Sequence, residues 1–598
     1  MGSVRARRSA LAAVAVLTAT VVVPGLGSPA TAQQGNTLRI AVTQEVDSLN
    51  PFLSSTRTGT DILRATFEEL TAASAKDMSP EPGLATKWEP SADKLTWTYT
   101  IRSGAKWSDG QPITAKDVAF TFNLMLGNET ARTANSSYIA GWESVTAPDD
   151  TTVVVKTKAP QTTMTALDIP IVPEHVWKSA DVGAEPSFPM VGSGPFVITE
   201  FKESQYTRLA ANKNYWRGAP KIDNLDFVYY KNADAAVQAL RNGEVDLVNN
   251  LTPTQFDALA GDGSITRNNA KGKRFNELVL NPGAATATGQ PIGDGHPALK
   301  DARLRRAIAQ AIDTKTLVDK VSGGYAEQGS GYVPPLFATY HYQPEGDRAR
   351  AFDPAAANAA LDAAGYTRGG DGVRVDPASG RPLALRLLLH SGKAFDEQSA
   401  PFITGWLRDI GIAVTAQSAS DNKLNEDTTA GNFDLVYSGW NGNPDPDYIL
   451  SLQTCASRPN ADGKGATPDT FFCDPEYDRL YAQQGSEFDT AKRAEVVKRM
   501  QAILYDQAPM VVLTYDNALE AYRSDRFAPF TISPDPGGFI MNQQSYWGYY
   551  SATPQAQAAG SSSSSTLVWV VIGAVVVVGA AVVVVLARRR RATADERE

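Results

Sequence analysis

The sequence contains few of the residues on which metal and redox chemistry depends: two cysteines and four histidines in 598 residues. No histidine stands in a His-Glu-x-x-His or Cys/His zinc spacing; the four are His175, His296, His341 and His390. The chain also lacks the G-x-S-x-G nucleophile motif, the G-x-x-x-x-G-K-[ST] phosphate loop and the G-x-G-x-x-G dinucleotide motif. These absences argue against zinc proteases, esterases and nucleotide-binding enzymes. A hydrolase that uses paired carboxylates stays open, because such pairs need no spacing in sequence.

Positive charge is scarce in the central part of the chain. The formal net charge is −9, but residues 1–32 contribute +3 and residues 588–598 contribute +2, so residues 33–587 carry −14. A body this acidic has no basic surface for a nucleic acid. With 42% hydrophobic and 20% charged residues, the composition is that of a folded protein. The length predicts three or four domains, or one large multi-lobed body.

The N-terminal residues have the organisation of a secretory signal peptide. Three arginines precede an apolar run over residues 10–23, and Pro24-Gly25 ends that run. Small residues follow, and cleavage is predicted after Ala32. A first transmembrane helix is the alternative, but the apolar run is short for one. Residues 1–32 are therefore predicted to be removed on secretion.

A second apolar segment, near the C-terminus, is long enough to span a bilayer. Residues 567–587 carry no charge, and these 21 residues span roughly 30 Å at about 1.5 Å per residue. Arginines follow directly and predict a cytoplasmic tail over 588–598, because clustered arginines remain inside. The Ser-rich segment 554–566 is a predicted flexible linker. We therefore expect a single-pass membrane protein with an extracellular body.

The extracellular location predicts a disulfide between the two cysteines, Cys455 and Cys473. With 17 residues between them, the bond would close a local loop. Its contribution to stability would be on the order of 3 kcal/mol. Two free buried cysteines are the alternative.

Strand and helix patterns alternate along residues 37–553 and predict a mixed α/β fold. The clearest strand is 95–101, where large apolar residues alternate with threonine. Thr114 and Asp117 have the spacing of a capping box and predict the start of a helix. Further helices are predicted over 301–321, 354–365, 401–410 and 491–505.

Ten short segments, each present once, follow one another along the chain in an order that can be compared with known families. They are LRIA at 38–41, DSLNP at 47–51, EPGLATKW at 81–88, IRSGAKWSDG at 101–110, TAKDV at 114–118, GSGPF at 192–196, NKNYW at 212–216, GEVD at 243–246, DARLRRAI at 301–308 and DPAAA at 353–357. In this order they resemble the extracellular solute-binding proteins of ABC importers. The resemblance is to family 5, the large oligopeptide, dipeptide and nickel-binding type, and covers nearly all of residues 37–550.

The resemblance implies a periplasmic-binding-protein-like α/β fold of class II, large cluster, in which two lobes close on a ligand. In this chain we expect a C-terminal transmembrane helix in addition to this fold. Lobe II is expected to comprise residues 284–515, and an extra subdomain at 63–189 is inserted in lobe I. Lobe I is discontinuous, and its expected segments are 37–62, 190–283 and 516–552.

The resemblance also implies ligand-binding residues in lobe II. In peptide-binding members, a tryptophan followed three residues later by an aspartate lies in the cleft, and the aspartate receives the ammonium terminus of the peptide. Trp440 matches the tryptophan, Asn441 follows it, and Asn443 replaces the aspartate, with Asp445 two residues further. Because an amide forgoes the charge-assisted hydrogen bond of a carboxylate, recognition of the ammonium group is expected to change. Asp445 would restore it if the loop were shifted by two residues.

Lobe I and its subdomain are expected to supply the remaining ligand contacts. Ser55, Thr56 and Arg57 match a family segment that pairs in extended form with the peptide backbone. Tyr138 is the expected cleft-facing aromatic residue of the subdomain, with packing as the alternative role. No catalytic residue, metal ligand or cofactor is predicted.

Together these features predict a membrane-tethered, extracellular substrate-binding protein of an ABC transporter. It is expected to capture an oligopeptide by cleft closure, as a monomer, and to deliver it to the permease subunits. Within the same fold, an oligosaccharide or a nickel chelate is the alternative ligand. An extracellular hydrolase and a surface sensor are the alternatives of a different class.

Overall fold

The computed structural model describes residues 36–139, 141–460 and 469–555. The predicted signal peptide 1–32, transmembrane helix 567–587 and tail 588–598 lie outside these residues, as does all but the start of the linker 554–566. Among the residues that are described, no helix combines the length and the apolar character needed to cross a membrane.

Strands occur throughout the described chain and are numbered here in sequence order. They are β1 Thr37–Val42, β2 Thr71–Ala73, β3 Pro80–Pro82, β4 Ala85–Pro90, β5 Thr96–Ile101, β6 Trp142–Thr146, β7 Thr152–Thr157, β8 Phe196–Lys202, β9 Tyr206–Ala211, β10 Asn224–Tyr229, β11 Leu247–Val248, β12 Ile265–Leu280, β13 Ala326–Gln328, β14 Ala384–His390, β15 Ala413–Ala419, β16 Leu435–Ser438 and β17 Met510–Arg523.

The helices lie between these strands. They are α1 Arg57–Thr66, α2 Ala115–Gly127, α3 Ser136–Ile139, α4 Glu174–Trp177, α5 Ala233–Asn242, α6 Pro253–Ala258, α7 Ala302–Gln310, α8 Thr314–Thr316, α9 Pro354–Ala363, α10 Ala394–Asp409, α11 Asp421–Thr429, α12 Asp447–Ser451, α13 Pro475–Ser486, α14 Thr490–Gln507 and α15 Trp547–Ser551. Short 3-10 turns cover Thr130–Arg132, Thr162–Thr165, Pro297–Lys300, Pro335–Phe337, Gly346–Arg348 and Cys455–Ser457, and a π-helical turn covers Leu317–Val321.

Several local predictions are confirmed. The strand at 95–101 is β5, in which Trp97 and Tyr99 are buried while the intervening threonine is exposed. Thr114 caps α2 in a capping box, and its backbone N–H donates to Asp117 Oδ2 at 2.8 Å. A disulfide joins the two cysteines, with 4.4 Å between their Cα atoms.

Two predicted helices differ from the structure. The prediction of one helix over 301–321 is wrong, because α7 ends at Gln310 and Asp313 accepts a hydrogen bond from the Thr316 N–H, which starts a new turn. The helix predicted to start at Pro401 begins at Ala394 and holds that proline in its interior. Two acidic residues in its first turn, Asp396 and Glu397, favour the earlier start by complementing the helix dipole.

In the described part of the chain, eleven strands form one large sheet. Its order is β15-β14-β16-β12-β17-β11-β1-β10-β9-β8, with β13 paired to β17 outside this path. β4, β5, β7 and β6 form a separate antiparallel sheet within the predicted subdomain, and β2 pairs with β3.

The long strands β12 and β17 connect the two halves of the large sheet. At one end β17 pairs with β11, and at the other end β12 pairs with β16. Between these ends the antiparallel register of β12 and β17 is irregular twice, between Ala270 and Arg274 and between Asn276 and Glu277. Such irregularities bend a strand pair locally, so the two halves meet at a bend.

The buried apolar residues form clusters on either side of this bend. Two clusters draw on residues 38–265 and 519–552, and two draw on residues 275–515. Met78 is the exception, since it belongs to the subdomain by sequence but packs with the second group. Phe275, Leu278, Val279 and Leu280, which the prediction places in lobe I, also pack with the second group. The exact limits of the lobes stay predictions, since the predicted boundary between residues 62 and 63 falls inside α1 and the one between residues 515 and 516 falls inside β17.

Gly272 lies at the first irregularity, where the backbones of β12 and β17 come close together. A Cβ atom at this position would lie 1.4 Å from the Asp516 carbonyl oxygen, a distance that requires the strands to move apart. The glycine is therefore needed for close approach of the two strands rather than for an unusual backbone angle.

We predict that Gly272→Ala lowers the free energy of unfolding by about 1–3 kcal/mol, the cost of forcing extra volume into a packed site. Urea denaturation followed by circular dichroism measures the change. Gly263→Ala is the matched control, because Gly263 precedes the same strand and a Cβ atom there meets no atom within 4 Å. Equal stability of the two variants would contradict this interpretation of the bend.

Candidate ligand-binding cleft

A cavity of about 1090 Å³ lies between the predicted subdomain and the predicted lobe II. One wall comes from the subdomain, mainly from residues 64–80 and 159–168 together with Tyr138. The opposite wall comes from residues 443–451 and 481–486 of lobe II, and Gln544 completes the lining. The cavity is thus formed by parts of the chain that are far apart in sequence.

The two walls touch each other beside the cavity. The Phe488 ring of lobe II lies 5.7 Å from the Trp97 ring of the subdomain, centroid to centroid, and the Lys94 ammonium lies 5.1 Å from the Phe488 centroid. Gln544 Nε2 donates to Asn443 Oδ1 at 3.4 Å. These contacts keep the walls together without filling the space between them.

The subdomain wall carries an ion-pair cluster of Arg64, Glu69 and Asp168. Arg64 Nη1 donates to Glu69 Oε1 at 2.7 Å, and Nη2 contacts Asp168 Oδ1. Burial raises the pKa of Glu69 well above its ordinary value, against the opposing effect of Arg64. Burial also disfavours ionisation of Asp168, but the charge of Arg64 and the hydrogen bonds with Glu69 and Arg64 together outweigh burial and lower the pKa of Asp168.

The lobe II wall carries two aspartates with different partners. Asp445 forms a bidentate ion pair with the buried Arg493, with N–O distances of 2.7 and 2.8 Å. Asp447 instead accepts hydrogen bonds from neutral donors, Gln484 Nε2 at 2.6 Å and the Tyr481 hydroxyl at 3.2 Å. Burial and the neighbouring Asp445 raise the pKa of Asp447.

Three tyrosines supply the aromatic part of the lining among the described residues: Tyr138, Tyr448 and Tyr481. Tyr448 is 48% exposed, and its ring stands edge to face against Trp440 at 6.3 Å. Exposure of so large a ring inside a cavity is typical of a ligand-contact residue.

The structure brings together only some of the predicted ligand-binding residues. Tyr138, Asn443 and Asp445 line the cavity. Trp440 is not among the lining residues; its Nε1 donates to Asp469 Oδ1 at 3.0 Å, and its ring contacts the lining residue Tyr448. Asn441 also lies outside the lining and forms a β-bridge to Arg274.

The segment Ser55 to Arg57 leads into a helix, and Thr56 keeps an extended backbone. Arg57 begins α1, and Thr56 is its N-cap residue. The backbone N–H groups of Ser55 and Thr56 donate to Asp47 Oδ2 at 2.7 and 3.0 Å. Because these donors are already paired, the segment offers a ligand little main-chain hydrogen bonding in this conformation. None of the three residues lines the cavity.

Several residues of the lining were not predicted from the sequence. Tyr448 and Asp447 follow directly after the predicted Trp440 to Asp445 segment, so an extension of that segment by a few residues would have included them. Arg64, Glu69 and Asp168 carry no local signal, because their grouping depends on contacts across about one hundred residues. No group of three or more His, Cys, Asp or Glu in the described residues has an arrangement that could hold a metal ion.

A family model described as bacterial extracellular solute-binding proteins, family 5 middle, matches residues 79–460. The chain belongs to this family. The match includes part of each wall of the cavity, with residues 159–168 of the subdomain and 443–451 of lobe II inside it and residues 64–78, 481–486 and Gln544 outside it.

Relatives in family 5 resemble the chain over most of its length. The oligopeptide-binding protein OppA of Bacillus subtilis is 26% identical over 504 residues, which cover 80% of this chain and 87% of OppA. The structure of the oligopeptide-binding protein AppA of Bacillus subtilis, in complex with a nonapeptide, matches with a TM-score of 0.67 and 21% identity, over 88% of this chain and 100% of AppA. NikA of Brucella suis in complex with Fe(III)-EDTA matches with a TM-score of 0.70 and 22% identity, over 87% of this chain and 100% of NikA. These structures confirm the two-lobed α/β fold.

We predict that Asp47, which fixes the loop before α1, stabilises the folded protein by an amount that depends on pH. Burial opposes its ionisation, but hydrogen bonds from Thr56 and Ser55 outweigh burial and lower its pKa from 3.8 to about 2. A carboxyl group whose pKa is lower in the folded protein than in the unfolded chain stabilises the fold at pH values above its unfolded-state pKa. This stabilisation is lost as the pH falls toward the folded-state pKa. Asp47→Asn should therefore lower the unfolding free energy by about 1 kcal/mol at neutral pH and by less in acid.

Urea denaturation at about pH 7 and about pH 3 measures this difference between wild type and Asp47→Asn. Glu45→Gln removes an exposed acid from the same loop and controls for the loss of one surface charge. A deficit of equal size at both pH values would show that the carboxylate charge of Asp47 is not what stabilises the loop.

Proposed function

We propose that the protein is the extracellular substrate-binding component of an ABC transporter and that it captures oligopeptides in the cleft described above. The observation that carries this proposal is the cavity of about 1090 Å³ between two walls from separate parts of the chain. Sites for small molecules are roughly 300–1000 Å³, so this cavity suits a ligand at or above the upper end of that range.

Binding would proceed by closure of the two walls on the ligand. The supporting feature is the bend in β12 and β17, since these strands join the halves of the sheet that carry the two walls. A ligand that contacts both walls favours the closed arrangement by the difference between its affinities for the two states. The closed form is then the one presented to the permease.

The lining supports a peptide ligand. Hydroxyl, amide and carboxylate groups alternate with tyrosine rings and small apolar residues, which suits a chain with both polar backbone and varied side chains. The relatives OppA and AppA bear the name oligopeptide-binding protein. A nickel chelate is less well supported, because no histidine is among the described residues of the lining.

Within this proposal, Tyr138, Asn443 and Asp445 contact the ligand, and Trp440 and Asn441 support the wall from behind. Ser55, Thr56 and Arg57 would take part only if the loop before α1 rearranged. The ligand is released chemically unchanged, the protein acts as a monomer, and residues 567–587 tether it to the membrane.

The proposal predicts that short peptides bind the purified full-length chain and are recovered intact, which isothermal titration and mass spectrometry of the ligand measure. Tyr448→Ala should weaken binding about tenfold, the loss expected for an aromatic contact residue. Phe352→Ala is the matched control, because Phe352 is 43% exposed and lies outside the cleft.

No heat with any peptide would contradict the proposed cargo, and peptide cleavage would favour the hydrolase alternative. Equal effects of Tyr448→Ala and Phe352→Ala would place the ligand elsewhere on the surface.

A further inference from the structure

We propose that the cleft selects peptides that carry a positively charged side chain, lysine or arginine, and disfavours peptides with acidic side chains. This inference rests on the proposed function and concerns the charge of the ligand, which membership of the family does not specify. It follows from the balance of charges in the lining, from the partners of each cation and from the aromatic residues.

Acidic side chains outnumber basic side chains in the lining. Among the described residues, the acids are Glu69, Asp168, Asp445 and Asp447, and the one base is Arg64. The acids stand on both walls, two on the subdomain and two on lobe II. A ligand between the walls therefore faces carboxylates on either side.

Three cations in the lining or directly behind it are already paired or held by polar groups. Arg64 contacts both Glu69 and Asp168. Arg493, behind the lobe II wall, is held by Asp445 and by Gln484 Oε1 at 2.8 Å. Lys273 is buried outside the lining, and its Nζ donates to Gln543 and Gln544 at 3.0 and 2.9 Å. To pair with one of these three cations, an acidic ligand side chain would have to displace an existing partner.

Asp447 and Asp168 have the strongest capacity to accept a ligand cation. The direct partners of Asp447 are neutral donors, so its negative charge has no cation in contact. The side chain of Asp168 remains 34% exposed although it touches Arg64. A lysine or arginine side chain could contact either carboxylate without breaking an ion pair.

Tyr138 shows that the acids of the two walls act on one region of space. Burial raises the pKa of the Tyr138 hydroxyl, and the charges of Asp168 and Glu69 on one wall and Asp445 on the other raise it further, against the opposing charge of Arg64. A positive charge near this hydroxyl would therefore be attracted from both walls.

The aromatic residues provide independent support for a cationic ligand. All three aromatic side chains in the described lining are tyrosines, and the faces of such rings attract ammonium and guanidinium groups. One is on the subdomain and two are on lobe II, so the rings, like the acids, occupy both walls.

The same charges couple ligand selection to closure. Carboxylates on opposing walls repel each other more strongly as the walls approach and water leaves the cleft. A cationic side chain between them reduces this repulsion, whereas an acidic side chain adds to it. The charge of the ligand therefore changes the affinity of the closed form more than that of the open form.

The test is isothermal titration of the full-length chain with three peptides of equal length and free termini, in which the central residue is lysine, alanine or glutamate. Because the terminal charges are the same in all three peptides, differences in affinity come from the central residue. We expect the lysine peptide to bind most tightly and the glutamate peptide most weakly, with a ratio of about tenfold or more that shrinks as salt is added.

Two variants, one for each wall, and one control locate the effect. Asp168→Asn and Asp447→Asn should each reduce the lysine-to-glutamate ratio, and the use of both walls guards against misfolding of one variant. Glu345→Gln, an exposed acid outside the lining, should leave the ratio unchanged.

Equal dissociation constants for the three peptides would overturn this inference and leave the proposed function standing. A ratio that Glu345→Gln changes as much as the cleft variants do would also overturn it, since the effect would then come from the overall charge. Absence of binding by all three peptides would instead contradict the proposed function itself.

Discussion

The pairing of β12 with β17 is the contact on which the rest of the structure depends. These two strands belong to both halves of the large sheet, so their position fixes where the two walls of the cleft stand. Their register breaks twice near the middle, and Gly272 allows the backbones to approach at the first break. The apolar clusters end on either side of this point. The protein thus has well-packed bodies joined by a strand pair that is irregular where bending is required.

This architecture separates stability from ligand recognition. The lobes are stabilised by buried apolar residues, and the cleft between them is lined by tyrosines, amides and an excess of carboxylates. Buried ion pairs such as Asp445 with Arg493 contribute little net stability, because desolvation offsets much of their attraction. They do hold the lining in one arrangement, and they leave the neighbouring Asp447 with neutral partners only. A ligand would thus meet a cleft in which Arg64 and Arg493 are already paired with carboxylates.

Much of the fold could be predicted from the sequence, because local patterns carry it. Alternation in β5, the capping box at Thr114 and the ordered family segments each depend on residues close together in the chain. The ends of helices were less predictable, since Asp313 and Pro401 act against the simple pattern. The site was predicted only in part. Asn443, Asp445 and Tyr138 line the cleft, but the direction of the Trp440 ring depends on Asp469, and the pairing of Ser55 and Thr56 depends on Asp47. Such partners leave no periodic signal in a single sequence.

The central claim is that the two walls close on a ligand by bending at β12 and β17, and a distance across the cleft tests it most directly. Spin labels attached to cysteines introduced at Lys158 and Gln483, which are exposed on opposite walls, report this distance in pulsed electron resonance. A second pair at Gln483 and Asp371, both within lobe II, serves as the control. We expect a bound peptide to shorten and narrow the distance distribution across the cleft and to leave the control distribution unchanged. A cross-cleft distribution that stays the same when titration shows the peptide to be bound would contradict this claim.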